Sequence, residues 1–171
     1  MEAYKKYKPS GIDWIGDVPE HWETVRLKYR ATVNDEVLPE NTDTDYEIEY
    51  VDIGSVDEKK GIIATDKLTF GNAPSRARRK VKDGDTIIST VRTYLRAITS
   101  INNPPENLVV STGFAVVRPC HIDPKFFSYS LRENSFVESV MSRSVGVSYP
   151  AITATAIGDI GIAVPSLSVV S

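Results

Sequence analysis

Short β-favouring segments separated by turn residues constrain the fold of this 171-residue chain more than any other feature. Most segments are rich in Val, Ile, Thr or Tyr and are bounded by Gly, Pro, Asn, Asp or Ser, which is typical of strands. The predicted strands lie at residues 24–29, 47–53, 61–64, 86–91, 97–101, 109–118 and 159–164. Helical patterns are few and do not alternate regularly with the strands. The sequence therefore predicts an α+β fold, a single mixed, strand-rich domain with a few helices.

The clearest helix signal begins at Asp123, whose side chain is suited to cap a helix. Pro124 follows at the first helical position, where a missing N–H is tolerated. Apolar residues then recur at helical spacing, at Phe127, Leu131, Val137 and Met141. Asn134 and Ser135 are predicted to break this helix in two. The apolar stripe predicts a face that packs against the core.

Composition indicates one globular domain that can bury a core, with 41% hydrophobic and 25% charged residues. The chain begins with charged residues where a signal peptide would be apolar, and no apolar run approaches the ~18 residues of a membrane span. We therefore expect a cytoplasmic protein that does not associate with membranes. Cys120 is the single cysteine, so no internal disulfide can form, and with His21 and His121 it lacks the spacing of a metal site.

Charge is distributed unevenly along the chain, although the net charge is only −3. Residues 35–58 hold ten acids and no base, whereas residues 76–96 hold seven bases and two acids. Salt screens surface charges beyond roughly 10 Å, so a local basic patch can bind a polyanion on a protein of negative net charge. Arginine suits this role because its planar fork grips phosphate or the guanine edge bidentately. The alternative is that the basic run is only a solvated face.

Two patterns resemble catalytic motifs but lack the residues or the spacing that those motifs require. Residues 103–106, NPPE, resemble the Asn-Pro-Pro-aromatic motif of amino-methyltransferases, but Glu106 replaces the aromatic residue and no glycine-rich loop precedes it. Asp52 with Asp57-Glu58-Lys59 resembles the acids and lysine of metal-dependent nucleases. The spacing is wrong, because residues 57–61 are predicted to form a hairpin turn. The sequence therefore predicts no catalytic activity.

Several motifs follow one another along the chain. They are WIGDVPEHW at 14–22, YVDI at 50–53, ARRKVKDGDTIISTVR at 77–92, STGFAVVRP at 111–119, GVSYPAI at 146–152 and IGIAVP at 160–165. Each motif alone also reads as ordinary core aromatics or turn glycines. Their order, however, resembles that of a target recognition domain from the specificity subunit of type I restriction-modification enzymes.

This resemblance implies a recognition domain at residues 14–165, preceded by an N-terminal extension at 1–13 and followed by a truncated tail at 166–171. The long conserved helix that follows such a domain in the family is not matched by the tail. By resemblance, the domain would be the N-terminal one and would bind one half of an interrupted double-stranded DNA site. Methylation and cleavage, with the methyl donor, Mg²⁺ and ATP, would belong to methyltransferase and restriction subunits, so the chain itself would need no cofactor and would be monomeric alone.

The candidate DNA contacts combine the arginine run with a late loop. They are Arg76, Arg78, Arg79, Arg92, Thr93, Tyr94, Arg96, Arg143, Ser144, Ser148 and Tyr149. Two other hypotheses remain open from the sequence. A stand-alone RNA-binding or regulatory module would use the same basic surface but needs base-stacking aromatics on exposed strands. A protein-interaction domain that modulates a restriction complex would use the acidic stretch 35–58 instead.

Overall fold

The computed structural model describes residues 6–12 and 15–165; Trp14 and the tail at 166–171 lie outside the described residues. The described strands are β1 (Tyr7–Pro9), β2 (Asp17–Pro19), β3 (Trp22–Arg26), β4 (Ala31–Val33), β5 (Glu47–Val51), β6 (Val56–Asp57), β7 (Gly61–Ile62), β8 (Asp66–Thr69), β9 (Ala77–Lys80), β10 (Thr86–Ser89), β11 (Ile98–Ser100), β12 (Leu108–Ser111), β13 (Phe114–Pro119) and β14 (Gly161–Pro165). The helices are α1 (Pro124–Arg132), α2 (Asn134–Ser142) and α3 (Ala154–Gly158). The predicted strand-rich α+β class is confirmed.

Two four-stranded sheets form the body of the domain. The first has the order β11-β10-β13-β4 and is antiparallel throughout. The second has the order β8-β5-β12-β9, in which β5 and β12 are parallel and the other pairs are antiparallel. Three two-stranded pairs, β1-β2, β3-β14 and β6-β7, complete the described sheet structure.

The first sheet is buried on both faces. Side chains alternate between the faces of a strand, and in β10 Ile88 joins a core with the three helices while its neighbour Ile87 faces a second core toward the other sheet. In β13, Val117 and Val116 divide in the same way. This double burial explains why the β10 and β13 segments are continuous apolar runs rather than alternating ones.

The second sheet is also covered on both faces. Val110 of β12 contributes to the core between the sheets, while its neighbour Val109 belongs to a third cluster with Leu38 and Phe70. The domain thus has helices, two sheets and an outer loop layer stacked in succession. The central strands of both sheets are therefore covered on both faces.

The helix signal at Asp123 is confirmed. Its carboxylate accepts a hydrogen bond from the Phe126 amide at 2.9 Å, and Pro124 begins α1. The predicted division into two helices is confirmed, but the break lies at Glu133, which is extended, while Asn134 and Ser135 begin α2. The buried Phe127 and Leu131 face the core as expected.

Two of the predicted strands are wrong in extent. Residues 109–118 are not one strand but β12 and β13, which enter different sheets through a turn at Thr112 and Gly113. Gly113 allows a close approach there, because a Cβ would lie 2.5 Å from Cδ1 of the buried Ile53, which would have to move. Residues 24–29 form a strand only to Arg26, after which Leu27–Tyr29 makes a 3-10 turn.

The sequence also missed several strands. In β9, Arg79 and Lys80 pair with Val110 and Val109 of β12, and the register shifts at Arg78, although such residues do not favour strands by themselves. Pairing with the apolar β12 stabilises this strand. In addition, Tyr7–Pro9 of the expected N-terminal extension pairs with Asp17–Pro19. No helix in the described ranges 6–12 and 15–165 is long and apolar enough to cross a membrane.

An ion-pair network joins the two sheets at one end. Arg118 of β13 binds Asp85 bidentately, with Nε–Oδ1 and Nη2–Oδ2 distances of 3.0 Å, and reaches Glu36 Oε2 at 2.9 Å. Glu36 also lies 3.5 Å from Lys82 Nζ, and its backbone carbonyl accepts from the Lys80 amide. Because Asp85 is only 1% exposed, the pairing with Arg118 offsets the cost of burying its polar oxygens.

Replacing Arg118 with alanine should lower the free energy of unfolding by about 3 kcal/mol, because it leaves the Asp85 carboxylate buried without its partner. Urea denaturation followed by circular dichroism measures this change. The control is Arg26→Ala, which removes an exposed arginine 3.7 Å from Asp159 and should cost less than about 1 kcal/mol. Equal losses in the two variants would contradict the structural role of the buried pair.

Candidate nucleic-acid interface

Loops from both sheets meet at the end of the domain opposite to the Arg118 network. Strands β5, β10 and β12 end there, and β9 and β13 begin there, as their registers require. We call this region the loop end and define it as residues 52–63, 76–79, 90–97, 112–113 and 143–152. It contains every residue that the sequence analysis proposed as a DNA contact.

The β12–β13 turn connects the early arginines to the loop that follows β10. The Thr112 amide donates to the Arg76 carbonyl at 2.8 Å, and the Thr90 amide donates to the Gly113 carbonyl at 2.8 Å. The Thr90 hydroxyl also donates to that carbonyl at 2.8 Å. Residues 76 and 90 are therefore held on either side of one turn.

The late loop packs directly against the loop after β10, although about fifty residues separate them in sequence. The Arg92 amide donates to the Pro150 carbonyl at 2.8 Å, and the Ile152 amide donates to the Thr90 carbonyl at 2.9 Å. The hydroxyls of Thr93 and Ser144 lie 2.7 Å apart. The structure thus brings together the two groups of residues that the sequence analysis proposed separately.

The loop after β10 has a strained backbone. Arg92 and Arg96 flank a 3-10 turn, and both adopt left-handed conformations, with φ values of 45° and 56°. Such conformations cost about 1–3 kcal/mol each in non-glycine residues and occur where surrounding contacts enforce them. Here the Arg92–Pro150 and Thr93–Ser144 contacts hold the start of the turn, and the side-chain contacts of Arg96 hold its end.

The Arg96 side chain makes three contacts that hold the loop after β10. Its Nε lies 3.1 Å from Glu58 Oε1, its Nη1 lies 3.3 Å from Glu138 Oε1, and its Nη2 donates to the Asn134 side chain. Its side chain is 22% exposed. The sequence predicted Arg96 to be a DNA contact, but its guanidinium binds residues of α2 and of the β6–β7 hairpin.

The early arginines differ in their surroundings. Arg76 is exposed, whereas the Arg78 guanidinium lies over the Phe70 ring at 4.4 Å from its centroid. Arg79 is half-buried, and its Nη2 lies 3.4 Å from the Thr112 carbonyl. Its Nε is buried without a hydrogen-bond partner among the described residues, and this burial lowers the pKa of the guanidinium from its usual value. Arg76 is therefore the most accessible of the three.

The remaining proposed contacts divide into exposed and supporting residues. The side chains of Arg92, Tyr94, Arg143, Ser148 and Tyr149 are exposed. Thr93 is only 4% exposed, and the Ser144 hydroxyl donates to the Val140 carbonyl at 2.7 Å. As their hydroxyls are already engaged inside the domain, the last two residues support the loops in this structure.

The structure adds exposed residues that the sequence analysis did not propose. Lys59 and Lys60 lie at the tip of the β6–β7 hairpin, which the Glu58–Arg96 ion pair joins to the loop after β10. The sequence predicted this hairpin but not its position. Leu95, Val145 and Val147 are also exposed at the loop end. Only their exposure in the structure distinguishes these apolar residues from core residues.

The groups that resembled catalytic motifs have structural roles. The Asp57 carboxylate accepts from the Lys59 and Lys60 amides at 2.8 Å each, and these bonds lower its pKa. Asp52 accepts from the Ile53 amide at 2.8 Å. The predicted hairpin turn at 57–61 is thus confirmed. The Asn103 amide donates to Asp83 in a loop between β11 and β12 at the other end of the domain.

Comparisons with solved structures identify similar proteins. One is a chain from a study of complex assembly and conformational transition of the type I R-M system, with a TM-score of 0.78 and 29% identity over 88% of this chain and 39% of that chain. Another is the HsdS subunit from Thermoanaerobacter tengcongensis, with a TM-score of 0.75 and 28% identity over 86% of this chain and 39% of that chain.

A type I restriction-modification S subunit from M. genitalium shares the fold alone, with a TM-score of 0.55 and 11% identity over 84% of this chain and 34% of that chain. No protein-family model matches the chain, and no curated protein matches it. The chain spans less than half the length of these similar structures. Their agreement confirms the resemblance to a type I specificity-subunit recognition domain that the motif order predicted.

Removing the Arg96 side chain should loosen the loop end, since three contacts to Glu58, Glu138 and Asn134 are lost. We expect Arg96→Ala to lower the free energy of unfolding by about 1 kcal/mol and to speed amide hydrogen exchange in residues 90–97. Arg92→Ala, which removes an exposed side chain from the same loop, is the control and should change neither. If both variants exchange like the parent, Arg96 does not hold the loop.

Proposed function

We propose that this domain binds double-stranded DNA sequence-specifically, recognising one half of a bipartite site, and that it does so as the specificity component of a type I restriction-modification system. The observation that carries this proposal is the convergence of exposed Arg76, Arg92 and Arg143 on one end of the domain. The similarity to solved type I specificity subunits supports the same assignment. The domain is proposed as N-terminal, with methyltransferase and restriction subunits as its partners.

The three exposed arginines are suited to different parts of a duplex. Arg76 lies at the start of a strand at the margin of the loop end, where phosphates would pass. Arg92 lies between the late loop and the 3-10 turn, in a backbone that the Pro150 contact fixes. A guanidinium presented from a fixed loop can bind guanine O6 and N7 bidentately. We therefore assign phosphate binding to Arg76 and Arg143 and base reading to Arg92.

Residues with internal contacts are assigned supporting roles within the same proposal. Arg96, Thr93 and Ser144 hold the loops in place, and Tyr94, Ser148 and Tyr149 remain candidate contacts beside them. Arg78 and Arg79 are candidate phosphate ligands from their strand.

The other two hypotheses have less support in the geometry. Recognition of single-stranded RNA on a sheet needs stacking aromatics on an open face, but both sheets are covered and Tyr94 and Tyr149 lie on loops. A protein-binding acidic surface would need the acids of 35–58 together. Three of them, Asp35, Glu36 and Glu58, pair with Arg118 or Arg96 inside the domain.

Arg76→Ala should weaken binding to all duplexes alike and should reduce the slope of log affinity against log salt concentration by about one unit, because one phosphate contact is lost. Fluorescence anisotropy with a mixed-sequence duplex over a range of salt concentrations measures both effects. Arg132→Ala is the matched control, since it removes an exposed arginine from α1, near the Gly84 end of the domain. Single-stranded DNA and RNA serve as competitors.

Arg92→Ala should instead lose roughly 1–3 kcal/mol on the preferred half-site and discriminate less at one base pair. Selection from a random duplex library, first with the parent and then with the variant, identifies that position. Parent-like affinity and discrimination in both the Arg76 and Arg92 variants would contradict the assignment of the loop end as the DNA surface. Preference for RNA over the duplex would favour the RNA-binding hypothesis.

The chain should neither methylate nor cleave DNA when it is given the methyl donor and Mg²⁺. The carboxylates of Asp52 and Asp57 are occupied by backbone amides, and Asn103 lies far from the loop end. Methyl incorporation and plasmid nicking assays test this expectation. Activity abolished by Asp52→Ala or Asp57→Ala would overturn the non-catalytic assignment.

A further inference from the structure

The tip of the late loop carries apolar side chains that no core contact explains. Val147 is fully exposed, at 101%, and Val145 and Tyr149 on either side of it are also exposed. Tyr94 and Leu95 are exposed on the adjoining loop. Apolar side chains gathered on a protein surface indicate an interaction site.

The backbone beneath Val147 is held in a defined shape. Residues 146–150 form a loop closed at its base by two hydrogen bonds, from the Val145 amide to the Ala151 carbonyl at 2.8 Å and from the Ala151 amide to the Val145 carbonyl at 3.0 Å. Gly146 has a φ of +119°, and a Cβ on it would lie 3.0 Å from the Tyr149 carbonyl oxygen. A loop ordered in advance loses little conformational entropy on binding.

Charge beside the tip indicates what this apolar surface meets. The exposed Arg92 is hydrogen-bonded through its amide to Pro150 of the same loop, and the exposed Arg143 lies just before the loop base. Two cations flanking an apolar tip complement a duplex, in which phosphates border a groove. Among the base edges in the major groove, the apolar group is the C5 methyl of thymine.

We propose that Val147 contacts a thymine methyl group in the major groove and is thereby a specificity-determining residue of this domain. This inference rests on the proposed DNA-binding function and adds the chemical group that the late loop reads. The β-branched side chain is short and stiff, so it suits contact with a methyl group.

The test removes the apolar side chain of Val147 from the protein and, separately, the C5 methyl group of thymine from the DNA. Random duplex selection with the parent should enrich a site containing thymine, and selection with Val147→Ser should lose the preference for thymine at one position while other positions persist. Uracil at that position should weaken the parent roughly three- to fivefold, as expected for one buried methyl group, and should not weaken the variant further.

Val37→Ser is the matched control, because it makes the same change at an exposed valine outside the two loops, and it should select the same site as the parent. Since Val147 contacts solvent, its variant should melt at the parent temperature. The inference on Val147 is overturned if the parent binds thymine and uracil duplexes equally, or if the Val147 variant keeps the parent's base preferences. In either case, salt-dependent binding through Arg76 still supports the proposed DNA-binding function. Absence of duplex binding by the parent rejects both.

Discussion

The ion-pair network centred on Arg118 holds neighbouring strands of the first sheet together and connects that sheet to the second. Asp85 precedes β10, Arg118 lies in β13, and Glu36, which follows β4, binds the same guanidinium. Through Lys82 and the Lys80 amide, the network also reaches β9 of the second sheet. The carboxylates raise the pKa of Arg118 above its usual value. An ion pair of this kind needs well-defined geometry to offset desolvation, so it specifies how the strands meet.

The opposite end of the domain consists of the loops that connect the strands. Because strands β5, β10 and β12 all finish there, their connections converge without any need for sequence proximity. Arg96 then acts at this end as Arg118 does at the other, binding Glu58 and Glu138 from separate elements. The strained residues 92 and 96 are therefore held by contacts rather than by local preference. The Arg118 network holds the strands together at one end of the domain, and the loop end exposes side chains at the other.

Many charged residues of this domain contact one another, so fewer charges are available to a ligand than the sequence indicates. Of the bases in 76–96, Arg78 lies over Phe70, Lys82 pairs with Glu36, and Arg96 pairs with two acids. Two acids of 35–58, Glu36 and Glu58, are occupied in the same way, by Lys82 and Arg96. The basic surface that remains is small and surrounds exposed apolar side chains. This arrangement supports the proposed recognition of a groove over simple attraction to a polyanion.

The sequence by itself determined the α+β class, the Asp123 cap, the break between α1 and α2, and the hairpin at 57–61, because these depend on signals within a few residues. The motif order also determined the likeness to type I specificity subunits. Only the tertiary structure decided that 109–118 divides between two sheets, that β9 forms from charged residues, and that Arg96 faces inward. Each of these depends on partners distant in sequence: Ile53 against Gly113, β12 beside β9, and Glu138 beside Arg96. Packing between distant segments outweighs local propensity wherever burial and pairing contribute more free energy than the residues' own preferences.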